Sequence, residues 1–170
     1  SEDAKLWFNR GLNWCYAFHH KEAVHCFEKT VELDPDCAMG YWGIAYGTGP
    51  YYNIPWEKMS PSGRPVAIAT TYENARKAVE LAVNGDVSPV ERALCSALAR
   101  RFQASTCDDL EILGQWDDDY ADASREVYRD FPEDYDVCAL AAEALMVRTP
   151  WRLWDLQNRV AAEGADTLEA

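Results

Sequence analysis

The stretch Ala4-Lys5-Leu6-Trp7-Phe8-Asn9-Arg10-Gly11-Leu12-Asn13-Trp14-Cys15, continued by Glu22-Ala23-Val24-His25-Cys26-Phe27 and closed by Leu33-Asp34-Pro35-Asp36, decides the architecture. Apolar and small residues recur in it at three- and four-residue intervals. Leu6, Trp7, Gly11, Trp14, Cys15 and Phe18 carry the first half, and Ala23, Val24, Phe27, Val31 and Leu33 the second. This is the period of an amphipathic helix, and no strand-like alternation persists. His19-His20 falls between the two runs. Pro35 ends the second, because proline cannot continue a helix and restrains the residue before it. The spacing predicts helix, tight turn, helix and break within one short unit, which is how a repeat reads.

The unit resembles the tetratricopeptide repeat. With Ala4 as its first position, Trp7 and Trp14 fall on large aromatic positions and Gly11 and Ala23 on small ones. Phe27 falls on the large position of the second helix, and Pro35 on the closing proline. Small residues let two helices approach closely, and large ones fill the groove between them. Two positions depart from the pattern: Arg10 stands where a leucine-like residue is usual, and Thr30 where a small alanine is. Further units follow at 38–86, 88–132 and 134–170, giving about three and a half in an all-α right-handed superhelical array of antiparallel helix pairs.

The second unit carries Tyr41, Ile44 and Ala45, then breaks at Gly47-Thr48-Gly49-Pro50. A long insert, 47–65, rich in proline and containing Tyr51, Tyr52, Trp56 and Met59, is read between its two helices, and Gly85 as the stop of the second. Ser88-Pro89-Val90-Glu91 opens the third unit as a capping box with proline at the first helical position. The fourth unit has Cys138, Ala141, Ala142 and Leu145 on one helix. A final helix, capped by Thr149-Pro150 and carrying Trp151 and Trp154, is expected after it.

The runs Trp7–Trp56 and Ser88–Phe102 also resemble the N-terminal half of a family of larger bacterial and fungal helical-repeat proteins of unestablished reaction. Asp34-Pro35-Asp36-Cys37-Ala38-Met39-Gly40-Tyr41-Trp42-Gly43 is the most distinctive stretch. Where that family often reads Phe-Asn-His, this chain has Phe18-His19-His20. The resemblance implies that the 170 residues are a fragment of a longer array.

Composition bounds the partners. Lys and Arg number 16 against 29 Asp and Glu, a net charge of −13. Such a chain lacks the basic footprint that nucleic acid or an anionic membrane requires. Its 12% aromatic content argues against disorder. No apolar run is long enough to span a bilayer. The six cysteines form no C-x-x-C pair and sit within apolar patterns, so they read as reduced, buried small hydrophobes, and a cytoplasmic protein is expected.

Three places could carry function. The histidines His19, His20 and His25 are the chain's only three, and Cys15 precedes His19 by four residues. Cys15 and His19 share a helical face. A Cys/His set would suit zinc or copper, in a binding site or a metal-dependent enzyme. Against this, histidines in a polar inter-helix turn are ordinary, and His25 and Cys26 point about 100° apart on a helix. Cys15 with His19 is also the one visible pair for nucleophilic catalysis.

The concave face is the second place. The repeat resemblance assigns Lys5, Phe8, Leu12, Cys15 and Tyr16 to it from the first unit, and Met39, Trp42 and Tyr46 from the second. Chaperone-binding members carry Lys and Asn where Phe8 and Leu12 stand, so clamping of a carboxylate terminus is not expected here. An apolar aromatic groove of Phe8, Leu12, Tyr16, Trp42 and Tyr46 suits a protein or peptide segment, or an apolar small molecule.

Asp117-Asp118-Asp119 is the third place, read as a solvated first turn that complements a helix dipole. The sequence thus points to a peptide-binding scaffold, with the metal site at Cys15, His19, His20 and His25 as the alternative. Self-association through a C-terminal helix is a further reading.

Overall fold

Where small residues sit at the expected spacing, helices come close. The computed structural model describes residues 1–170. It contains α1 (Glu2–Tyr16), α2 (His20–Leu33), α3 (Ala38–Thr48), α4 (Gly63–Asn84), α5 (Pro89–Arg101), α6 (Leu110–Asp130) and α7 (Tyr135–Val147). A two-stranded hairpin follows, β1 (Trp154–Asp155) and β2 (Val160–Ala161). Each helix packs on the next in sequence, and α1 touches α3 as α3 touches α5, which is the neighbour-on-neighbour layout of a repeat array. The protein is an all-α, tetratricopeptide-like helical array.

The Phe27 ring is the pin between the first two units. It is wholly buried. A Cβ on Gly11 would stand 2.4 Å from its Cε1, and a Cβ on Gly43 would stand 2.4 Å from its Cδ1. The two glycines therefore exist to admit one aromatic side chain between α1 and α3. Thr30, placed where the repeat prefers alanine, is also wholly buried. Its hydroxyl donates to the Cys26 carbonyl at 3.1 Å, so the polar group is satisfied within its own helix.

Capping fixes the remaining ends. Ser88 Oγ accepts from the Glu91 amide while the Glu91 carboxylate accepts from the Ser88 amide, the reciprocal box the sequence predicts. Asp109 and Asp134 cap α6 and α7 with their carboxylates. His19 does the same for α2, its Nδ1 accepting from the Glu22 amide at 3.2 Å. Gly85 ends α4 as expected.

Four expectations need correction. The insert is shorter than 47–65, because α3 continues through Thr48 and α4 begins at Gly63. No helix follows Thr149-Pro150. Trp151 takes a left-handed φ of 66°, and the Asp155 carboxylate accepts from the amides of Gln157 and Asn158, which closes a turn between β1 and β2. Self-association through a C-terminal helix therefore loses its element. Asp117–Asp119 is no first turn: it lies in the middle of α6, and Asp117 is 7% exposed.

The tail and the insert meet. Trp151 stacks on Tyr52 with ring centroids 5.7 Å apart, and the Lys58 ammonium lies 4.8 Å from the Trp151 ring centre. Arg125 holds Asp166 at 2.9 Å and Glu169 at 2.8 Å, which ties the last residues to α6. No helix is long and apolar enough to cross a membrane.

Candidate functional site

The five groove residues separate by depth. Trp42 is 1% and Tyr46 8% exposed, stacked on one another with centroids 5.0 Å apart, so both belong to the core. Phe8 and Leu12 are half-buried against that core. Tyr16 is 45% exposed, and its hydroxyl donates to Asp136 at the start of α7. The first and last helices are thereby joined by an exposed side-chain contact.

A cleft of about 360 Å³ remains open where α1 passes α3. Lys5, Phe8 and Asn9 line it from α1, Met39 from α3, and Val87 and Glu91 from the start of the third unit. Phe8, Met39 and Val87 give it apolar surface, and Asp34, Asp36 and Asp86 stand among its lining residues. A second groove of about 380 Å³ runs between α5 and α6. Its floor is Ala93, Ala97 and Ala123, and Asp119, Asp122, Glu126 and Asp130 supply its wall.

Inside the array lies a buried charged group that sequence reasoning missed. Arg101, fully buried at the end of α5, donates from Nε to Asp117 Oδ1 at 2.7 Å. Its Nη1 and Nη2 have no partner. Glu143, on α7, has both carboxyl oxygens buried and unpartnered. Burial opposes the Arg101 charge, but Asp117, which accepts its hydrogen bond, leads the surrounding groups that outweigh it and hold the guanidinium firmly protonated. Burial pushes the Glu143 carboxyl up, Arg101 pulls it back, and Asp117 pushes it further up. The Tyr52 amide lies close enough to favour ionisation but without hydrogen-bond geometry. Tyr46 and Tyr120 wall the group, both held well above the usual phenol range chiefly by burial.

Residues 4–37 match the tetratricopeptide repeat family. The chain contains a tetratricopeptide repeat. No curated protein and no solved structure matches it. Such repeats typically mediate protein binding, which makes an interaction scaffold the class of function that follows.

Within this tetratricopeptide unit the four candidate metal ligands diverge. Cys15 is buried in the core, its thiol pushed up to about 12 chiefly by burial. His19 is spent on capping α2 and faces Trp14 at 5.3 Å. His20 stacks on Tyr51 at 3.9 Å, and burial, with Arg101 nearby, lowers its pKa to about 4. His25 meets Trp7 edge-on at 6.4 Å. No group of three His, Cys, Asp or Glu side chains is placed to hold a metal ion. Cys15 is buried in the core, whereas His19 is exposed and uses its Nδ1 to accept from the Glu22 amide.

The missed residues gave little signal. Asp118 pairs with Arg148 at 2.6 Å and Asp119 accepts from Gln103 at 2.6 Å, so each of the three aspartates has a different partner. Arg101 ends a helix in which Arg100 is exposed, and nothing in that order distinguishes the two. The one available hint is register: Arg101 follows Leu94 and Leu98 on the apolar face of α5.

Proposed function

We propose that this protein is a peptide-binding scaffold whose recognition surface is the cleft between α1 and α3. The open cleft supports this reading: Phe8 and Met39 line it from helix A positions, where tetratricopeptide arrays offer their inner surface. Phe8 makes the contact with the partner inside the cleft, and Leu12 and Tyr16, one and two turns further along α1, extend that surface beyond it. Trp42 and Tyr46 form the packed backing that holds those residues in place. The partner is an extended or helical segment with an apolar anchor, which fits a cleft too small for a folded domain edge.

Selection from a displayed peptide library tests this. Peptides enriched on the unaltered protein are expected to be lost by Phe8→Ala and weakened by Tyr16→Ala. Ile112→Ala, on the exposed side of α6, is expected to keep them. Full retention by Phe8→Ala refutes the surface, and enrichment of no peptide at all refutes the scaffold reading.

A further inference from the structure

The interior of the array holds three ionisable side chains whose charged forms would not balance. Arg101 contributes one positive charge, while Asp117 and Glu143 contribute two carboxyls. No other cation faces them. From α1, Cys15 faces Glu143; from α3, Tyr46; from α5, Arg101; from α6, Asp117 and Tyr120; from the insert, the Tyr52 amide. His20 of α2 faces Arg101 and is neutral at physiological pH, since its pKa is lowered to about 4.

An uncompensated buried charge is strongly unfavourable, and a carboxyl relieves it by taking a proton. Geometry decides which carboxyl does so. Asp117 accepts the Arg101 Nε–H at 2.7 Å, which favours its ionised form. Glu143 has no hydrogen-bond partner on either oxygen. The proton therefore belongs on Glu143.

Position turns this proton into a device. Glu143 is the one buried acid that α7 contributes, and its neighbours lie on α1, α3, α5 and α6. Elsewhere α7 is joined to α1 by a single exposed contact, from the Tyr16 hydroxyl to Asp136. We propose that Glu143 is a proton switch in the packing of α7: neutral, it is accommodated in the closed array, and ionised, it loosens α7 from the interior. The sign follows from linkage. A carboxyl whose pKa is raised on folding stabilises the closed form below its ordinary pKa, and that contribution is lost as pH rises through the raised value. This is the reverse of the usual acid lability. The inference does not depend on which partner the α1–α3 cleft binds.

Urea unfolding across pH 5–9, for the intact chain and for Glu143→Gln, reads the switch directly. Glutamine keeps the shape and cannot ionise. The unfolding equilibrium constant of the unaltered protein is expected to rise relative to the variant by up to tenfold per pH unit between the carboxyl's ordinary and raised pKa, and to level off above the latter. Acrylamide quenching of the buried indoles should increase with pH in the former and stay flat in the latter. Parallel pH profiles for the two proteins overturn the proposal. So does a Glu143 carboxyl that titrates below pH 5 by carbon-13 NMR. If glutamine prevents folding, Glu143→Leu serves, because a well-packed apolar residue is often tolerated in place of a buried charge, and a flat profile is again expected.

Discussion

Gly43→Ala separates packing from propensity at the pin between the first two units. In a helix interior the change alone is worth about 1 kcal/mol in favour of alanine. At this site the new methyl would stand 2.4 Å from Cδ1, 2.5 Å from Cγ and 2.7 Å from Cδ2 of Phe27. Cγ is the root of the ring, so rotation cannot clear it. Retreat is blocked as well, because a Cβ on Gly11 would already lie 2.4 Å from Cε1, which places α1 hard against the far edge. Overpacking of a filled core costs about 1–3 kcal/mol, and rigid contacts fall at the upper end. The net expectation is destabilisation by about 1–2 kcal/mol, a drop of about 1 M in the urea midpoint at a typical slope. Circular dichroism at 222 nm measures it. In a Phe27→Leu background the ring is gone and the methyl has room, so Gly43→Ala should become neutral or stabilising, a coupling of about 0.5–3 kcal/mol. A raised midpoint in the Phe27 protein, or zero coupling in the cycle, refutes the clamp.

Three other outcomes follow from the same packing. Trp42→Ala should lower stability by about 3–5 kcal/mol, because a fully buried indole leaves a cavity; a variant that merely loses binding while melting normally would place Trp42 on an open surface. Arg101→Met should cost about 3–5 kcal/mol by leaving Asp117 buried without its partner, and adding Asp117→Leu should recover most of it; a single variant of unchanged thermal midpoint contradicts the buried pair. His20, at about 4 instead of 6.5, stays neutral in the folded state while the unfolded chain takes up a proton. Its contribution is complete above pH 6.5 and fades as pH falls toward 4. His20→Phe keeps a ring on Tyr51 and should flatten the acid limb of the urea midpoint profile; an unchanged limb would show that another group titrates there.

The first unit was legible because its information is local. Gly11, Ala23 and Phe27 declare their contacts by size, and Pro35 declares a chain break whatever surrounds it. Ser88 and Glu91 signal their cap in the same way, within four residues. The interior charges are different. Arg101 and Asp117 meet across 16 residues and two helices, and Glu143 comes from a third. A charged residue in a helix reads as solvated unless something marks its register, and three consecutive aspartates reinforce that reading. The tail failed for the opposite reason. Trp151 and Trp154 have helical spacing, yet Asp155 satisfies the backbone by a local turn, and the pattern has too few residues to outweigh it. The depth of Trp42 and Tyr46 follows from the packing of α3 among α1, α2, α4 and α5, which the pattern of the second unit alone does not reveal.

The Tyr16–Asp136 contact joins residues 120 positions apart. Taken as sequence distance, it would mark a slow folder, since distant pairings usually require the closure of long flexible loops. Here each intervening helix docks on its predecessor, and the two groups are carried toward one another on surfaces already formed. Closure comes last, between rigid partners, and its entropic cost has by then been spread over the whole series of docking steps. The chain can therefore acquire a long-range bond at the pace of nearest-neighbour assembly.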